Sequence, residues 1–212
     1  MIQTLRYDQE VIIQDILKLH SPNGVIDVDL TYSVGKFYKG AIAQPRYKFD
    51  IDPQLPGVVY GCATEIALPD DSVGTIMFDP PFLATTGPSL KKKSGNIINK
   101  RFGVFPNEKD LHVFYSRVLR ETYRVVKNDG ILIFKCQDKV SSGKQYFSHC
   151  YIFNEAVSIG WFAKDLFILG AKNRVVANWQ RKQKHARKYH SYFWVFKKRK
   201  TRTHPDVFCK WK

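Results

Sequence analysis

The sequence predicts an α/β fold. Short apolar runs alternate with segments of helical period, as in proteins that layer helices on a sheet. The chain has 212 residues, enough for one domain with a sizeable core and little room for a second.

Residues 7–19 place Val11, Ile12, Ile13, Ile16, Leu17 and Leu19 among polar residues, which predicts a helix with one broad apolar face. Ser21-Pro22-Asn23-Gly24 breaks it. Strands are expected at Gly24–Leu30, Tyr47–Asp52, Gly57–Ala63 and Val73–Asp79, the last running into Pro80-Pro81. Residues 83–106 show no period and contain Lys91-Lys92-Lys93, so they read as a long functional loop. Residues 107–127 carry Leu111, Phe114, Tyr115, Val118, Leu119, Tyr123 and Val126 at helical spacing, with Asn128-Asp129-Gly130 as the stop. Ile131–Phe134 is a buried strand, and a helix around Gln145–Ile159 ends at Gly160. Leu166–Leu169 and Tyr192–Phe196 are expected to close the sheet as an antiparallel pair.

Composition excludes several classes. A hydrophobic share of 44% with 25% charged residues is that of a globular protein in water. No apolar run approaches the roughly 20 residues that span a bilayer. The start, Met1 to Arg6, lacks the form of a signal peptide, so a cytoplasmic location is expected. Cys62, Cys136, Cys150 and Cys209 form no Cys-x-x-Cys pair, and His149, His185, His190 and His204 show no ligand spacing. Neither a disulfide framework nor a metal site is expected.

Charge points to a partner. The net charge is +15, and residues 171–212 hold fourteen Lys or Arg against one acid, Asp206. Trp179, Tyr189, Tyr192, Trp194 and Trp211 are interleaved with them. Such a segment can be a solubilising face, but basic residues alternating with aromatic ones favour a polyanion, here nucleic acid. A membrane surface is disfavoured because no clear amphipathic basic helix accompanies the charge.

The chemistry concentrates at Asp79-Pro80-Pro81-Phe82, directly after the apolar run Thr75-Ile76-Met77-Phe78. In open α/β sheets ligands bind outside the carboxyl ends of strands. The two prolines fix φ and remove two backbone donors. A rigid corner remains, presenting the Asp79 carboxylate and the Pro80 carbonyl as acceptors and Phe82 as an aromatic face. An exocyclic base amine matches it: two hydrogens are held while the ring stacks, and the nitrogen lone pair turns toward an electrophile.

This tetrapeptide resembles the Asp/Asn/Ser-Pro-Pro-Tyr/Phe/Trp signature of the DNA adenine-N6 and cytosine-N4 amino-methyltransferases. Residues 24–138 carry the resemblance, and the strand and helix order extends it to about 198. Leu68-Pro69-Asp70-Asp71-Ser72-Val73 looks like the family's approach to its catalytic motif. Residues 118–130 look like the helix and turn before its fifth strand. Thr31-Tyr32-Ser33-Val34-Gly35 is similar to a Thr-Tyr-x-x-Gly variant of small phage-type members, in place of the usual Asp-Pro-Phe-x-Gly-x-Gly.

The resemblance implies a Rossmann-like class I fold: a seven-stranded, mostly parallel sheet with helices on both faces. It implies a single methyltransferase domain over 1–198, a basic tail over 199–212, and S-adenosylmethionine as cofactor. Asp79, Pro80, Pro81 and Phe82 would be catalytic; Asp29, Thr31, Gly35, Asp50, Cys62 and Ala63 would bind the cofactor. An acid about 20 residues beyond a glycine turn commonly bonds a nucleoside ribose, which selects Asp50, with Asp52 second. Gly61-Cys62-Ala63 stands where the family often has Gly-Asp-Ala, so backbone or Thr64 would supply the missing acceptor unless Cys62 is simply a small buried residue. Gln137 and Asp138 are open between lining a base pocket and making loop or cap contacts. Lys91, Lys92, Lys93, Lys100, Arg101, Arg181, Lys182 and Lys184 would grip nucleic acid, DNA ahead of RNA. Members that read long sites carry a target-recognition domain, so a short site or low specificity is expected here. Two other readings stay open: an RNA base methyltransferase acting on guanine-N2 or adenine-N6, and a non-catalytic nucleic-acid-binding module.

Overall fold

The structure, a computed structural model, describes residues 1–82, 84, 105–141, 143–171 and 185–199. Its elements, in chain order, are β1 Leu5–Arg6, α1 Gln9–His20, β2 Val28–Asp29, β3 Tyr47–Asp50, β4 Val59–Tyr60 and β5 Val73–Phe78. Then come α2 Glu108–Val125, β6 Val126–Cys136, the hairpin β7 Lys139–Ser141 and β8 Lys144–Tyr146, α3 Ser148–Ile159, β9 Trp161–Gly170 and β10 His190–Lys198.

Among the described residues, eight strands form one sheet in the order β1-β9-β10-β6-β5-β2-β3-β4. Of these, β10 alone runs antiparallel to its neighbours, β6 and β9. The expected architecture holds, with eight strands in place of seven. The added one, β1, pairs only Leu5 with Ile168 and Arg6 with Leu169, too short for any periodicity to reveal. Two of the parallel strands are also shorter than their apolar runs: Val28–Asp29 within 24–30 and Val59–Tyr60 within 57–63.

Both sheet faces are covered. Along β6, Ile131 and Ile133 pack toward α1, against Ile12, Ile13 and Ile16. Leu132 and Phe134 point the other way, toward Leu111, Tyr115, Val118 and Leu119 of α2 and Ile152 of α3. The period-2 alternation thus serves two cores, so the strand reads as one continuous apolar run. Helix α2 starts where Asn107 accepts a hydrogen bond from the Asp110 amide, with Glu108 and Asp110 in the first turn.

Its end differs from expectation. Asn128-Asp129-Gly130 is not the helix stop; α2 ends at Val125 and the chain passes straight into β6. The partner of that end lies far away in sequence. The Lys198 ammonium, on β10, donates to the carbonyls of Tyr123 (2.7 Å) and Val126 (2.8 Å) and to Asp71 (2.6 Å). A cation there satisfies carbonyls that a helix end leaves open. Residues 127–130 form a bulge: Val73 pairs with Val126, but Thr75 already pairs with Ile131. Asp129 takes φ 65°, and a Cβ at Gly130 would come within 2.6 Å of the Gly74 carbonyl. The helix expected around 145–159 begins only at Ser148, because residues 139–146 form the β7–β8 hairpin.

The strand order reverses between β2 and β5, since the chain continues outward to β3 on one side and to β6 on the other. Such a switch point opens a crevice at the carboxyl ends of the two strands. Behind it, Phe134 meets Phe78 edge-on at 4.9 Å and Tyr115 edge-on at 5.4 Å. Replacing Phe134 with Ala should cost about 3–5 kcal/mol of stability. Urea denaturation measures it, and a loss below 1 kcal/mol would show that this cluster does not hold the sheet centre.

Candidate active site

At the end of β5 the chain turns through Asp79-Pro80-Pro81-Phe82, and three backbone groups of the corner are tied down. The Asp79 amide donates to the Thr31 hydroxyl at 2.8 Å. The Pro81 carbonyl accepts from the Tyr115 hydroxyl at 3.0 Å. The Phe82 carbonyl accepts from the Lys139 ammonium, which also pairs with Glu108 at 3.0 Å. Burial lowers the Lys139 pKa, and Glu108 opposes that shift.

The Asp79 side chain is 22% exposed and forms an ion pair with Lys135 at 3.1 Å. Burial pushes its carboxyl up, and Lys135 pulls it back down by charge and hydrogen bond. The Lys135 ammonium lies 5.2 Å from the centre of the Phe37 ring, 5.6 Å from Phe193 and 5.8 Å from Phe82.

Across the switch point, β2 ends in the fully buried Asp29. Its Oδ1 accepts from the Thr31 amide at 2.8 Å, and its Oδ2 accepts from the Tyr38 hydroxyl at 2.6 Å. Burial lifts its carboxyl to about 7 against both of these bonds, with Asp79 adding to the rise. The following turn needs left-handed backbone at Ser33 (φ 52°) and Gly35 (φ 66°). A Cβ at Gly35 would lie 2.4 Å from the Tyr32 hydroxyl oxygen, so glycine is required there for space as well as for conformation. Ser33 supplies the other special position of the turn, and its amide donates to Asp50 Oδ2 at 2.7 Å.

Between these elements lies a cavity of about 500 Å³ whose wall includes Thr31, Ser33, Asp50, Ala63, Asp79 and Lys135. That volume is ordinary for a cofactor or small-ligand site. The expected set divides by position. Thr31, Asp50, Cys62, Ala63, Asp79 and Pro81 are on the wall; Asp29, Gly35, Pro80 and Phe82 are outside the lining set. Asp29 sits beneath the turn with both oxygens engaged, so its place is that of a support. Asp50 is on the wall and Asp52 is exposed outside it, where its amide donates to Asp50 Oδ1 at 2.9 Å. Cys62 Sγ lies 3.1 Å from the Thr64 hydroxyl.

Gln137 and Asp138 make the structural contacts of the two readings. Gln137 donates to the His190 carbonyl at 2.9 Å, and buried Asp138 accepts from the His149 amide at 3.2 Å and lies 2.8 Å from its ring nitrogen. Lys91, Lys92, Lys93, Lys100, Arg101, Arg181, Lys182 and Lys184 lie outside the described residues. The basic segment is not uniform, however: Lys197 pairs with Asp129 at 3.0 Å and Lys198 holds the end of α2.

Sequence reasoning missed Lys135 and Tyr115. The signal for Lys135 was a lone cation one residue past the apolar run Ile131–Phe134. Its importance shows only when β5 and β6 are paired, Phe78 opposite Phe134. Tyr115 read as one more apolar position of a helix, and its hydroxyl contact is tertiary.

The sequence matches no protein-family model and no curated protein. Solved structures are similar to it. One is a chain of the complex between the Haloferax volcanii Trm112 methyltransferase activator and a methyltransferase, at 11% identity over 92% of this chain and 96% of that one, with a TM-score of 0.52. This likeness is one of fold: the chain shares its α/β architecture with that protein. Weaker likenesses include a protein of Thermus thermophilus described as a DNA modification methylase, complexed with S-adenosylmethionine (18% identity, 66% of this chain and 54% of that one, TM-score 0.40). Another is the cytosine-N4-specific PvuII DNA methyltransferase (16% identity, 65% and 48%, TM-score 0.46). The chain spans about half the length of these two DNA methylases.

The raised Asp29 carboxyl has a consequence for stability. The unfolded chain releases this proton near pH 4 and the folded protein near 7. The contribution is therefore fully present below about pH 4 and is lost as pH rises through about 7. Asp79 shifts in the same direction. Denaturation midpoints should fall between pH 5 and pH 8, and Asp29→Asn should flatten the fall. Parallel curves for the two proteins would contradict the assignment.

Proposed function

We propose that this chain transfers a methyl group from S-adenosylmethionine to the exocyclic amine of a nucleic-acid base, adenine-N6 in DNA first. The observation that carries the reading is the placement of Asp79, at the end of β5, on the wall of the same cavity as Asp50.

The residues fit the cofactor. The cavity has the volume, and the wall combines apolar lining with few polar groups. Asp50 has one lone-pair site on each oxygen beyond the bonds it accepts from Ser33 and Asp52, which suits two ribose hydroxyls. The turn at Ser33 and Gly35 brings backbone to the wall, and Gly61-Cys62-Ala63 closes the side toward β4. Asp29 and Tyr38 support this turn from below. When bound, S-adenosylmethionine supplies an electrophilic methyl group and leaves as S-adenosylhomocysteine.

The chain's own residues do the rest. Asp79 and the Pro80 carbonyl accept the two amine hydrogens, which turns the nitrogen lone pair toward the cofactor side of the cavity. Phe82 packs on the base. The new N–C bond puts positive charge on the nitrogen, which the Asp79 carboxylate stabilises until a proton leaves to solvent. The corner moves little, because Thr31, Tyr115 and Lys139 hold its backbone. A duplex substrate requires the target base to swing out, at a cost of a few kcal/mol. The basic segments at 91–101 and 181–184 are the proposed grips.

Mapping methylated bases in DNA from cells expressing the chain tests this reading, with matched DNA and RNA oligonucleotides separating the two nucleic acids. N6-methyladenine in DNA is expected, and its absence together with methylated RNA would move the substrate to RNA. Asp79→Ala should abolish transfer while leaving calorimetric affinity for S-adenosylmethionine within a few-fold; near-normal turnover would remove the catalytic role. Asp50→Ala should weaken cofactor binding by about 1–3 kcal/mol, the range for a hydrogen bond to a charged group. Unchanged affinity there, with a crippled Asp52→Ala, would show that the wrong carboxylate was chosen.

A further inference from the structure

Lys135 belongs to no part of the signature motif, yet among the described residues it is the hydrogen-bond partner of the Asp79 carboxylate. The sheet itself brings them together. Phe78 on β5 pairs with Phe134 on β6, so the next residue on each parallel strand, Asp79 and Lys135, comes out side by side at the carboxyl edge. The lysine side chain is 13% exposed and reaches Asp79 Oδ2 at 3.1 Å. Phe37, Phe82 and Phe193 surround the ammonium, and Phe193 is its register partner on β10. Three ring faces and one carboxylate define a cation seat, which restricts where the ammonium can go.

We propose that Lys135 is the positioning residue of this site: its ammonium holds Asp79 turned into the cavity and in the carboxylate form at neutral pH. The inference rests on the base-amine reading, because an amine with two hydrogens needs acceptors. A protonated Asp79 would present a donor and lose acceptor capacity.

The surroundings make such a partner necessary. Among the described residues, the other titratable groups coupled to Asp79 are Asp29 below it, Tyr115 from α2, and Cys136 beside Lys135 on β6. Asp29 adds negative charge when ionised, and the tyrosine and thiol supply no cation. Burial favours the neutral acid, and Lys135 opposes it by charge and by hydrogen bond. Lys135 engages Oδ2, and among the described residues no partner takes Oδ1, which is the oxygen assigned to the amine. Lysine can therefore set the charge of the acceptor without occupying both of its oxygens.

The test reads Asp79 directly. The carboxyl ¹³C resonance of Asp79 is titrated in the full chain, without ligand, for the wild type, Lys135→Met, Lys135→Gln and Lys135→Arg. Removing an opposite charge at this distance should raise the titration midpoint by about one to three pH units in Met and Gln. Arg should keep it near the wild-type value. The same spectra report whether each variant is folded, so Gln carries the test should Met disturb the sheet. A wild-type midpoint in either folded neutral variant would overturn the proposal.

A second arm follows methyl transfer from S-adenosylmethionine to an adenine-containing oligonucleotide against pH. The acid limb of kcat should move to higher pH in the neutral variants, in step with the Asp79 midpoint, and Arg should restore it. A uniform loss at every pH, with the limb in place, would mark Lys135 as merely structural and overturn the role. Should the midpoint move while the wild type methylates no oligonucleotide, the base-amine reading fails and the Lys135–Asp79 charge coupling stands.

Discussion

The Thr31 hydroxyl joins the two halves of the site. It accepts the Asp79 amide at 2.8 Å and lies 3.4 Å from Asp29, toward which its own hydrogen points. The end of β5 and the turn after β2 are thereby fixed to each other across the switch point of the sheet. Neighbouring parallel strands set the spacing between their ends to roughly 5 Å, but they do not set the direction of the loops beyond. That direction comes from this hydroxyl and from the buried carboxylate under it. Asp29 is placed where ionisation is costly, and it holds the Thr31 amide and the Tyr38 hydroxyl on separate oxygens. A group in that position is worth its burial only if the turn it supports must keep one shape.

The opposite side of the corner depends on aromatic packing. Tyr115 contacts Phe134 with its ring and the Pro81 carbonyl with its hydroxyl, so one side chain carries the rigidity of the core to the motif. The two prolines remove amide donors that the cavity edge would otherwise have to satisfy. Lys139 takes up the last carbonyl of the motif while keeping its charge balanced by Glu108. Rigidity of this kind suits chemistry that depends on orientation more than on a strong base, because the acceptors do not have to reorganise as charge develops.

How much of this the sequence disclosed follows from the range of the interactions. Helix α1 and the body of α2 were legible because their apolar faces and caps are local. Strand β5 was legible because a run buried on both faces meets a double proline. The place of Asp50 on the cavity wall was legible through its distance from the turn. Strand β1 escaped because it is two residues long and the β7–β8 hairpin because its strands are three residues each; the other features that escaped are long-range. Lys198 lies 72 residues from the Val126 carbonyl it caps, and in sequence it is one more cation in a basic segment. Asn128-Asp129-Gly130 has the composition of a helix stop, but the helix ends earlier, at Val125, where that lysine meets the open carbonyls, and the tripeptide forms a bulge against Gly74 instead. Asp29 reads as a cofactor ligand in the motif, and only the position of Tyr38 reveals it as a support. Lys135 needs the β5–β6 register before it has a partner at all.

We propose that one cavity holds S-adenosylmethionine between Asp50 and Asp79 with its methyl group facing the proline corner. Isotope-edited nuclear Overhauser spectra of the protein with S-(¹³C-methyl)-adenosylmethionine test it most directly. The account predicts contacts from the labelled methyl to Pro80, Pro81 and Phe82, and from the ribose protons to residues 50–52. A methyl signal that contacts the β3–β4 side of the cavity instead, or a cofactor that does not bind, would contradict it.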